Sequence, residues 1–323
     1  MRAAVCSVHG PPESVEIREV DAPTPGPGQV VVSVRAAAVN FPDVLIVADR
    51  YQLSVPTPFV PGSEFAGEVA ELGEGVSTPA VGDRVRGTVF HGAFAEQVVI
   101  DADRVHPIPD DVTMVDAAGF YVTHATAYHC LRSVASLQKG ERLLVTGAAG
   151  GVGSAAVALG VAMGAEVVAV ASGREKLDLC ERLGASVLVD ASADDLRGAL
   201  RESVPDGIDV VLDPVGGDVA EPAVRACRYG ARFVTVGFAS GDIPAIPLNL
   251  VLLKGVTLAG FEMRGFGTHH PDLMSRDLQE LEDLFASGVV RPAVGATLPL
   301  DEVVEALRLL ADRRATGKII IVP

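Results

Sequence analysis

The stretch Leu143-Leu-Val-Thr-Gly-Ala-Ala-Gly-Gly-Val-Gly153 decides the fold of this chain. Its apolar beginning predicts a buried strand, and its glycines predict a tight turn that opens a helix. Glycine lets a backbone approach a pyrophosphate closely, and the free N–H groups at a helix start bind phosphate. The stretch therefore predicts a dinucleotide site, with Ala148 in place of the usual first glycine and an ordinary strand–helix turn as the alternative. The phosphate-binding residues are expected to be Gly150, Gly151, Val152 and Gly153.

Beyond this stretch the chain continues to alternate strand-like and helix-like segments. Residues 167–171 predict a second strand, 175–183 a second helix and 187–190 a third strand. Continuous apolar strands between helices are typical of a parallel sheet covered on both faces. The first third differs, because Gly and Pro separate short strand-like runs such as residues 30–34 and 93–100. The sequence therefore predicts an α/β protein that combines a doubly wound parallel-sheet domain with a β-rich, barrel-like domain.

The end of the second strand decides which dinucleotide is bound. Proteins that bind NAD usually carry an acidic residue there, which accepts a hydrogen bond from the ribose 2′-hydroxyl. This chain has Ala171 at that position, and the residues that follow include Ser172, Arg174 and Lys176. A hydroxyl and two cations without an acid suit a 2′-phosphate, so the sequence predicts NADPH. Either cation taken alone would instead favour a solvated residue in the first turn of a helix.

Composition excludes several classes of partner. The chain has 26 Lys and Arg against 42 Asp and Glu, a formal net charge of -16, which repels nucleic acid and anionic lipid surfaces. No stretch is apolar for long enough to span a bilayer, and the N-terminus lacks the pattern of a signal peptide. The four cysteines form no CxxC pair, which indicates reduced thiols and a cytoplasmic protein.

Short motifs spread over nearly the whole chain carry a family resemblance. They are Val39-Asn-Phe-Pro-Asp43, Pro61-Gly-Ser-Glu-Phe-Ala-Gly67, Gly92-Ala-Phe-Ala-Glu96, Asp213-Pro-Val-Gly-Gly217 and Ala315-Thr-Gly-Lys-Ile319. Together they resemble the zinc-free quinone oxidoreductase branch of the medium-chain dehydrogenase/reductase superfamily, the group that includes zeta-crystallin. This branch commonly has alanine where Ala148 stands. Some relatives place a tyrosine beside the adenosine phosphate where this chain has Ala191, whereas Lys176 is retained, so the resemblance still implies NADPH.

The resemblance implies how the chain is divided. A GroES-like catalytic domain would comprise residues 1–121 and 264–323, and a Rossmann NADPH-binding domain would comprise residues 122–263. The active site would lie in the cleft between these domains. The resemblance also implies a homodimer, joined through the last Rossmann strands near residues 256–261.

The same resemblance implies roles for individual residues. Asn40 would lie at the hydride-transfer site and also contact the cofactor. The residues near the nicotinamide would be Thr126, Gly237 and Phe238. Arg264 is of special interest, because an arginine in an apolar cleft can hold a carboxylate or a phosphate, whereas the alternative is a surface residue. The walls of the substrate pocket are expected to include Tyr51, Phe238, Met263, Arg264 and Phe266.

The sequence predicts no metal site. Zinc-dependent members of the superfamily carry a Cys and a His in the cleft, where this chain has residues 39–41 and Ser63. No stretch holds the clustered cysteines of a structural zinc site. His124 and His129 do not share one helix face well at their spacing, so we interpret them as structural.

The predicted activity is NADPH-dependent reduction of a quinone, an enone or a similar activated double bond. Without a metal, hydrogen bonds and the exclusion of water must stabilise the developing negative charge. Asn40 is interpreted as functional, although it is also a common turn residue, and Asp43 as a helix cap. The alternative within enzymes is reduction of acrylyl- or enoyl-thioesters or of haloacrylate-type substrates. A non-catalytic role, crystallin-like or RNA-binding, is the alternative outside enzymes, and the net charge argues against RNA.

Overall fold

The computed structural model describes residues 1–323 and forms two compact units. The first unit comprises Met1–Val122 and Val294–Pro323, and the second comprises Thr123–Ala293. In chain order the strands are β1 Arg2–Cys6, β2 Val15–Glu19, β3 Gln29–Val39, β4 Glu64–Leu72, β5 Arg84–Thr88, β6 Gln97–Asp101, β7 Val105–Pro107, β8 Arg142–Thr146, β9 Glu166–Ala171, β10 Val187–Asp190, β11 Ile208–Asp213, β12 Cys227–Thr235, β13 Thr257–Gly260, β14 Val294–Pro299 and β15 Lys318–Val322.

The longest α-helices, of 12 and 16 residues, belong to the second unit. None of the helices combines the length and the apolar character that crossing a membrane requires. In chain order the helices are α1 Phe41–Val47, α2 Met114–Ala118, α3 Tyr121–His129, α4 Gly151–Ala162, α5 Arg174–Arg182, α6 Leu196–Ser203, α7 Ala220–Ala226, α8 Leu248–Lys254, α9 Met263–His269, α10 Pro271–Ala286 and α11 Val303–Ala311.

One long strand organises the first unit. β3 has 11 residues and pairs antiparallel with β4, β6 and β15. The sheet has the order β14-β15-β3-β4-β5-β7, with β6 also beside β3, and its core includes Phe65 and Phe94. The β-rich domain predicted for the first third of the chain is therefore confirmed. Ile319 lies opposite Val39 in the β3–β15 pairing, which brings the last strand of the chain beside the start of α1.

One predicted strand of this unit is shorter than expected. The sequence predicts a strand over residues 93–100, whereas β6 begins only at Gln97. The N–H groups of Ala93 and Phe94 donate instead to the segment that precedes β4, so they do not take part in the pairing with β3. This turn places the Phe94 ring in the core, because the ring is fully buried.

A parallel sheet forms the centre of the second unit. Its six strands have the order β10-β9-β8-β11-β12-β13, and every neighbouring pair is parallel. Counted from β8, this is the doubly wound order of a dinucleotide-binding fold, so the predicted Rossmann sheet is confirmed. The strand order reverses between β8 and β11, which end at Thr146 and Asp213. Ligands of such sheets bind at the carboxyl ends of the strands where the order reverses.

The C-terminal boundary between the units differs from the expectation. The resemblance places residues 264–323 in the first unit, whereas only residues 294–323 return to it. The reason is α10, which packs on the helical segment that begins the second unit. Asp277 of α10 is hydrogen-bonded to His129 at 3.0 Å, with both side chains fully buried. The Ser133 hydroxyl donates to the same carboxylate oxygen at 2.5 Å, so α10 is held within the second unit.

Candidate functional site

The glycine-rich turn after β8 has the geometry that phosphate binding requires. Gly147 adopts φ 56°, in the left-handed region, and a Cβ on Gly153 would lie 2.1 Å from the Gly147 carbonyl oxygen. Glycine is therefore needed at both positions. Gly150 is the N-cap of α4, no side chain caps this helix, and its first turn contains no acidic residue. The N–H groups of Gly151 and Val152 have no acceptor within the helix, so the helix start is open to an anion.

A buried carboxylate joins the two strand ends where the sheet order reverses. Asp213 is fully buried. Its Oδ1 accepts hydrogen bonds from the Thr146 hydroxyl and from two N–H groups of the loop after β11. A Cβ on Gly147 would lie 2.6 Å from the Val215 side chain, so this loop packs against the glycine turn. The sequence prediction missed this positioning role, for which the available signal was an acidic residue at the end of an apolar strand.

Two of the residues predicted near the nicotinamide adjoin the same loop. Gly237 and Phe238 follow β12, and a Cβ on Gly216 would lie 2.8 Å from the Phe238 ring. Phe238 is 39 % exposed, which leaves part of its ring accessible to a ligand. Thr126, the third of these residues, lies half-buried on α3. The structure therefore brings Gly237 and Phe238 together with the glycine turn.

The residues predicted to bind the 2′-phosphate lie at the turn between β9 and α5. Gly173 is the N-cap of α5 and adopts φ 82°, and Ser172 is exposed beside it. The Arg174 side chain is 78 % exposed and forms an ion pair with Asp178 at 2.6 Å, one helical turn further on. Lys176 is half-buried on the same helix. The three predicted residues are thus gathered at one helix start, which favours an anion.

Three of the predicted pocket residues lie on α9. Met263 and Phe266 are half-buried, and Arg264 is exposed, with its Nε 3.6 Å from Glu262 Oε1. The Glu262 carboxylate also caps α9 by accepting two backbone N–H bonds. The Phe266 ring packs on the buried His129 ring, with 5.0 Å between their centroids. The apolar side of α9 is therefore anchored in the second unit, while Arg264 lies at its exposed start.

The remaining predicted pocket residue, Tyr51, lies in the first unit within a row of aromatic rings. Its ring centroid is 6.3 Å from that of Phe90, and the Phe90 centroid is 6.1 Å from that of His91. Phe90 is 42 % exposed. Partly exposed rings of this kind offer faces on which a flat unsaturated molecule can stack.

A buried polar cluster lies in the first unit where α1 begins. Its members Asn40, Glu64 and Lys318 are 4 %, 1 % and 2 % exposed. The Lys318 ammonium lies 2.6 Å from Asn40 Oδ1 and 3.3 Å from Glu64 Oε2. Asn40 Nδ2 donates to the same Glu64 oxygen at 3.1 Å. Each member is therefore bonded to the other two, and we call this cluster the buried triad.

The buried triad restricts what Asn40 can contribute to chemistry. Its amide oxygen accepts from Lys318, and one of its two amide N–H groups donates to Glu64. The amide nitrogen is otherwise 3.5 Å from the Ala38 carbonyl oxygen, a long contact. The triad therefore occupies one of the two amide N–H groups of Asn40 and one of the two acceptor positions of its Oδ1.

Asp43 caps α1, as the sequence predicts. Its Oδ2 accepts the Asn40 backbone N–H at 2.7 Å, which is one half of a capping box. Burial raises the pKa of the Asp43 carboxyl to about 7, although the Asn40 N–H, the Ser63 hydroxyl and the Lys318 ammonium favour its charged form. Asp43 therefore changes charge in the neutral pH range.

Because of Asp43, we expect a component of stability that is lost as the pH rises from about 4 to about 7. The folded pKa of about 7 lies above the ordinary 3.8, so the folded state holds the proton more tightly than the unfolded chain. This component is present in full at low pH and disappears as the pH rises through the folded pKa. Relative to Asp43→Asn, which cannot titrate, the wild type should lose up to about 1.4 kcal/mol per pH unit. Urea unfolding of both proteins at several pH values measures this, and parallel pH profiles would contradict it.

Purified protein is expected to contain no stoichiometric zinc. No three or more His, Cys, Asp or Glu side chains are grouped so that they could hold a metal ion. His129 is instead hydrogen-bonded to Asp277 in the core of the second unit. A structural metal would stabilise the fold, and its removal by a chelator would lower the melting temperature. Because no such metal is expected here, chelators should leave the melting temperature unchanged. Elemental analysis is the measurement, and one tightly held zinc per chain would overturn this prediction.

Two family models match the chain. The model described as "Alcohol dehydrogenase GroES-like domain" matches residues 26–110, which lie in the first unit. The model described as "Zinc-binding dehydrogenase" matches residues 151–287, which lie in the second unit. The second match extends through α10 and so agrees with the place of this helix in the second unit.

Known proteins resemble the chain over most of its length. Quinone oxidoreductase-like protein 2 of Bos taurus is 36 % identical over 99 % of this chain and 92 % of its own length. The crystal structure of Escherichia coli quinone oxidoreductase complexed with NADPH is 26 % identical, covers 100 % of both chains and has a TM-score of 0.90. Polyketide synthase GfsB of Streptomyces halstedii is 38 % identical over 91 % of this chain, which corresponds to 5 % of that protein. With two domain matches and relatives that span the whole chain, this protein belongs to the quinone oxidoreductase-like branch of the medium-chain dehydrogenase/reductase superfamily.

Proposed function

We propose that this protein is an NADPH-dependent oxidoreductase that transfers a hydride to a quinone, an enone or a similar activated double bond. The observation that carries the proposal is in the second unit. The helix that follows β8 begins without a side-chain cap, and β9 ends in Ala171 rather than in an acidic residue. The similarity to an Escherichia coli quinone oxidoreductase crystallised with NADPH supports it. In this proposal the first unit is the catalytic domain and the second is the NADPH-binding domain.

The proposal divides the cofactor among residues of the second unit. The backbone N–H groups of the glycine turn bind the pyrophosphate. For Arg174 to reach a 2′-phosphate it has to leave Asp178, and this costs little because exposed ion pairs contribute at most about 1 kcal/mol. The side chains that bind the 2′-phosphate are those of Ser172, Arg174 and Lys176. The residues that contact the nicotinamide are Thr126, Gly237 and Phe238.

The acceptor needs a hydrogen-bond donor that stabilises the negative charge developing on its oxygen. NADPH supplies the hydride, solvent supplies the proton, and a quinone leaves as the hydroquinone. In the proposal the Asn40 N–H that the buried triad leaves available is this donor. Arg264 leaves its ion pair with Glu262 and binds an anionic group of the acceptor instead. The apolar side chains that exclude water are those of Tyr51, Phe238, Met263 and Phe266.

Oxidation of NADPH with a panel of acceptors tests the proposal. The panel contains benzoquinone, a naphthoquinone, cyclohexenone and crotonyl thioester, and NADPH consumption is followed by absorbance. We expect turnover with at least one quinone or enone. Binding of NADPH without turnover on any acceptor would favour the non-catalytic role instead.

A second candidate function is reduction of an enoyl or acrylyl thioester. The observation in its favour is the 38 % identity to a polyketide synthase segment. The two candidates differ in kcat/KM, which is the quantity by which an enzyme discriminates between substrates. A larger kcat/KM for crotonyl thioester than for every quinone and enone of the panel would favour this second candidate.

Replacing Arg174 and Lys176 together with alanine is expected to weaken NADPH binding and to leave NADH binding nearly unchanged. Each charged hydrogen bond lost to the 2′-phosphate costs about 1.5–3 kcal/mol. Arg182→Ala is the matched control, because it removes an exposed cation from the opposite end of the same helix. Calorimetry gives the dissociation constants. Equal constants for NADPH and NADH in the wild type would contradict the predicted 2′-phosphate site.

We also propose that the chain forms a homodimer through an apolar face of the second unit. β13 is an edge strand, and Leu248, Leu252 and Leu253 of α8 are 75 %, 79 % and 72 % exposed. Clustered apolar side chains and an unpaired strand edge favour association. Leu252→Glu should therefore yield monomers in sedimentation velocity, whereas Val289→Glu, at another exposed apolar position, should not. A monomeric wild type would contradict the proposal.

A further inference from the structure

The strand beside β9 supplies an acid that β9 itself lacks. NAD-binding folds usually carry their acidic residue at the end of the second strand, where this chain has Ala171. In the parallel pairing of β9 with β10, the residue in register with Ala171 is Asp190. Neighbouring strands are about 4.8 Å apart. A carboxylate therefore lies one strand away from the position that selects between the two dinucleotides.

The Asp190 side chain is directed over the turn between β9 and α5. Its Oδ1 accepts the Gly173 N–H at 3.3 Å, and Gly173 is the N-cap of α5. The same oxygen accepts the Ser192 hydroxyl at 2.6 Å and the Ser192 N–H at 2.9 Å. The Ser192 hydroxyl and N–H, together with the Gly173 N–H, hold the pKa of the Asp190 carboxyl below its ordinary value, so it is charged at neutral pH. This negative charge is fixed at the turn where the 2′-phosphate is proposed to bind.

Acidic side chains of α5 compete with a phosphate for the Arg174 guanidinium. Arg174 is paired with Asp178 at 2.6 Å, and its guanidinium is 4.0 Å from the Glu181 carboxylate. Releasing Arg174 from both acids adds only a small cost to phosphate binding, whereas the Asp190 charge opposes the phosphate directly. A ribose 2′-hydroxyl meets neither difficulty, because it is uncharged and can donate a hydrogen bond to a carboxylate. The turn therefore combines features that suit NADPH with one that suits NADH.

We propose that Asp190 is a cofactor-selectivity residue that limits the preference for NADPH by repelling its 2′-phosphate and accepting the 2′-hydroxyl of NADH. The inference rests on the proposed function, since it concerns the same cofactor site. It implies that the wild type prefers NADPH only modestly and that NADH also supports turnover. The discrimination is set by the balance between the α5 cations and a carboxylate of the adjacent strand.

The experiment compares Asp190→Asn with the wild type and with Asp195→Asn. Asparagine keeps an oxygen that can accept the Gly173 and Ser192 N–H groups, so the turn should be retained while its charge is lost. Asp195 caps α6 by accepting the Gly198 N–H at 2.8 Å and makes no bond to Gly173, so it controls for the loss of a nearby carboxylate. Dissociation constants for NADPH and NADH are measured by calorimetry, and melting temperatures are recorded for all three proteins.

The expected result is that Asp190→Asn raises the preference for NADPH over NADH on the order of tenfold, through tighter NADPH and weaker NADH binding. The control should leave this ratio within about twofold. An unchanged ratio in Asp190→Asn, or equal weakening of both cofactors, would overturn the role of Asp190 while leaving the proposed function intact. Failure of the wild type to bind either cofactor would overturn the proposed function itself.

Discussion

Lys318→Met is expected to lower the free energy of unfolding by about 3–5 kcal/mol. Lys318 is 2 % exposed, and its ammonium is 3.3 Å from the carboxylate of Glu64, which is 1 % exposed. Methionine fills a similar volume but leaves this carboxylate buried without its counter-charge. Removing one partner of a buried ion pair is far more costly than replacing both. The change also removes the hydrogen bond from Lys318 to Asn40 Oδ1.

Two further variants separate this explanation from a simple change of volume. In the double variant Glu64→Gln/Lys318→Met neither buried charge remains, so part of the lost stability should return. Lys139→Met removes an exposed lysine and should change the stability by no more than about 0.5 kcal/mol. Urea unfolding gives the free energies. If Lys318→Met lost less than about 1 kcal/mol, the ion pair would not be the reason that this lysine is buried.

The parts of the molecule that depend on local sequence were predictable. The glycine turn after β8 needs residues that are adjacent in the chain, because Gly147 and Gly153 contact each other across one turn. Asp43 caps the helix that begins immediately before it, and the structure confirms this prediction. Parallel strands were also recognisable, because burial on both faces requires continuous apolar runs. Confirmed predictions of this kind rest on neighbours within a few residues.

Other features of the molecule depend on which strands lie side by side, and no single segment of the sequence determines this. Lys318 opens an apolar final strand, which is a visible signal, but its partners follow only from the antiparallel pairing of β15 with β3. The sequence predicts only that Asp190 ends a third strand. Its importance appears only when β10 is found beside β9 in register with Ala171. The place of α10 likewise depends on the buried contact between Asp277 and His129.

Asn40→Ala is expected to lower turnover on the order of a hundredfold, because a donor aimed at developing charge typically contributes about 2.7–4 kcal/mol to the transition state. The buried triad adds a second expectation. Without the amide, the Lys318 ammonium and the Glu64 carboxylate each lose a hydrogen bond, which should cost about 1–3 kcal/mol of stability. The variant should nevertheless still bind NADPH. Single-turnover oxidation of NADPH that is already bound measures the rate of the chemical step. The binding equilibrium of the cofactor does not affect this rate.

Thr113→Ala distinguishes a loss of donor from a loss of stability. Thr113 caps α2 by accepting the Asp116 N–H at 3.0 Å, and its removal should cost about 1 kcal/mol without touching the buried triad. If both variants are destabilised but only Asn40→Ala is slow, the amide acts on the reaction. If Asn40→Ala is destabilised and turns over at the wild-type rate, Asn40 is a structural partner of Lys318 and Glu64. In that case the donor for the acceptor oxygen has to be another group.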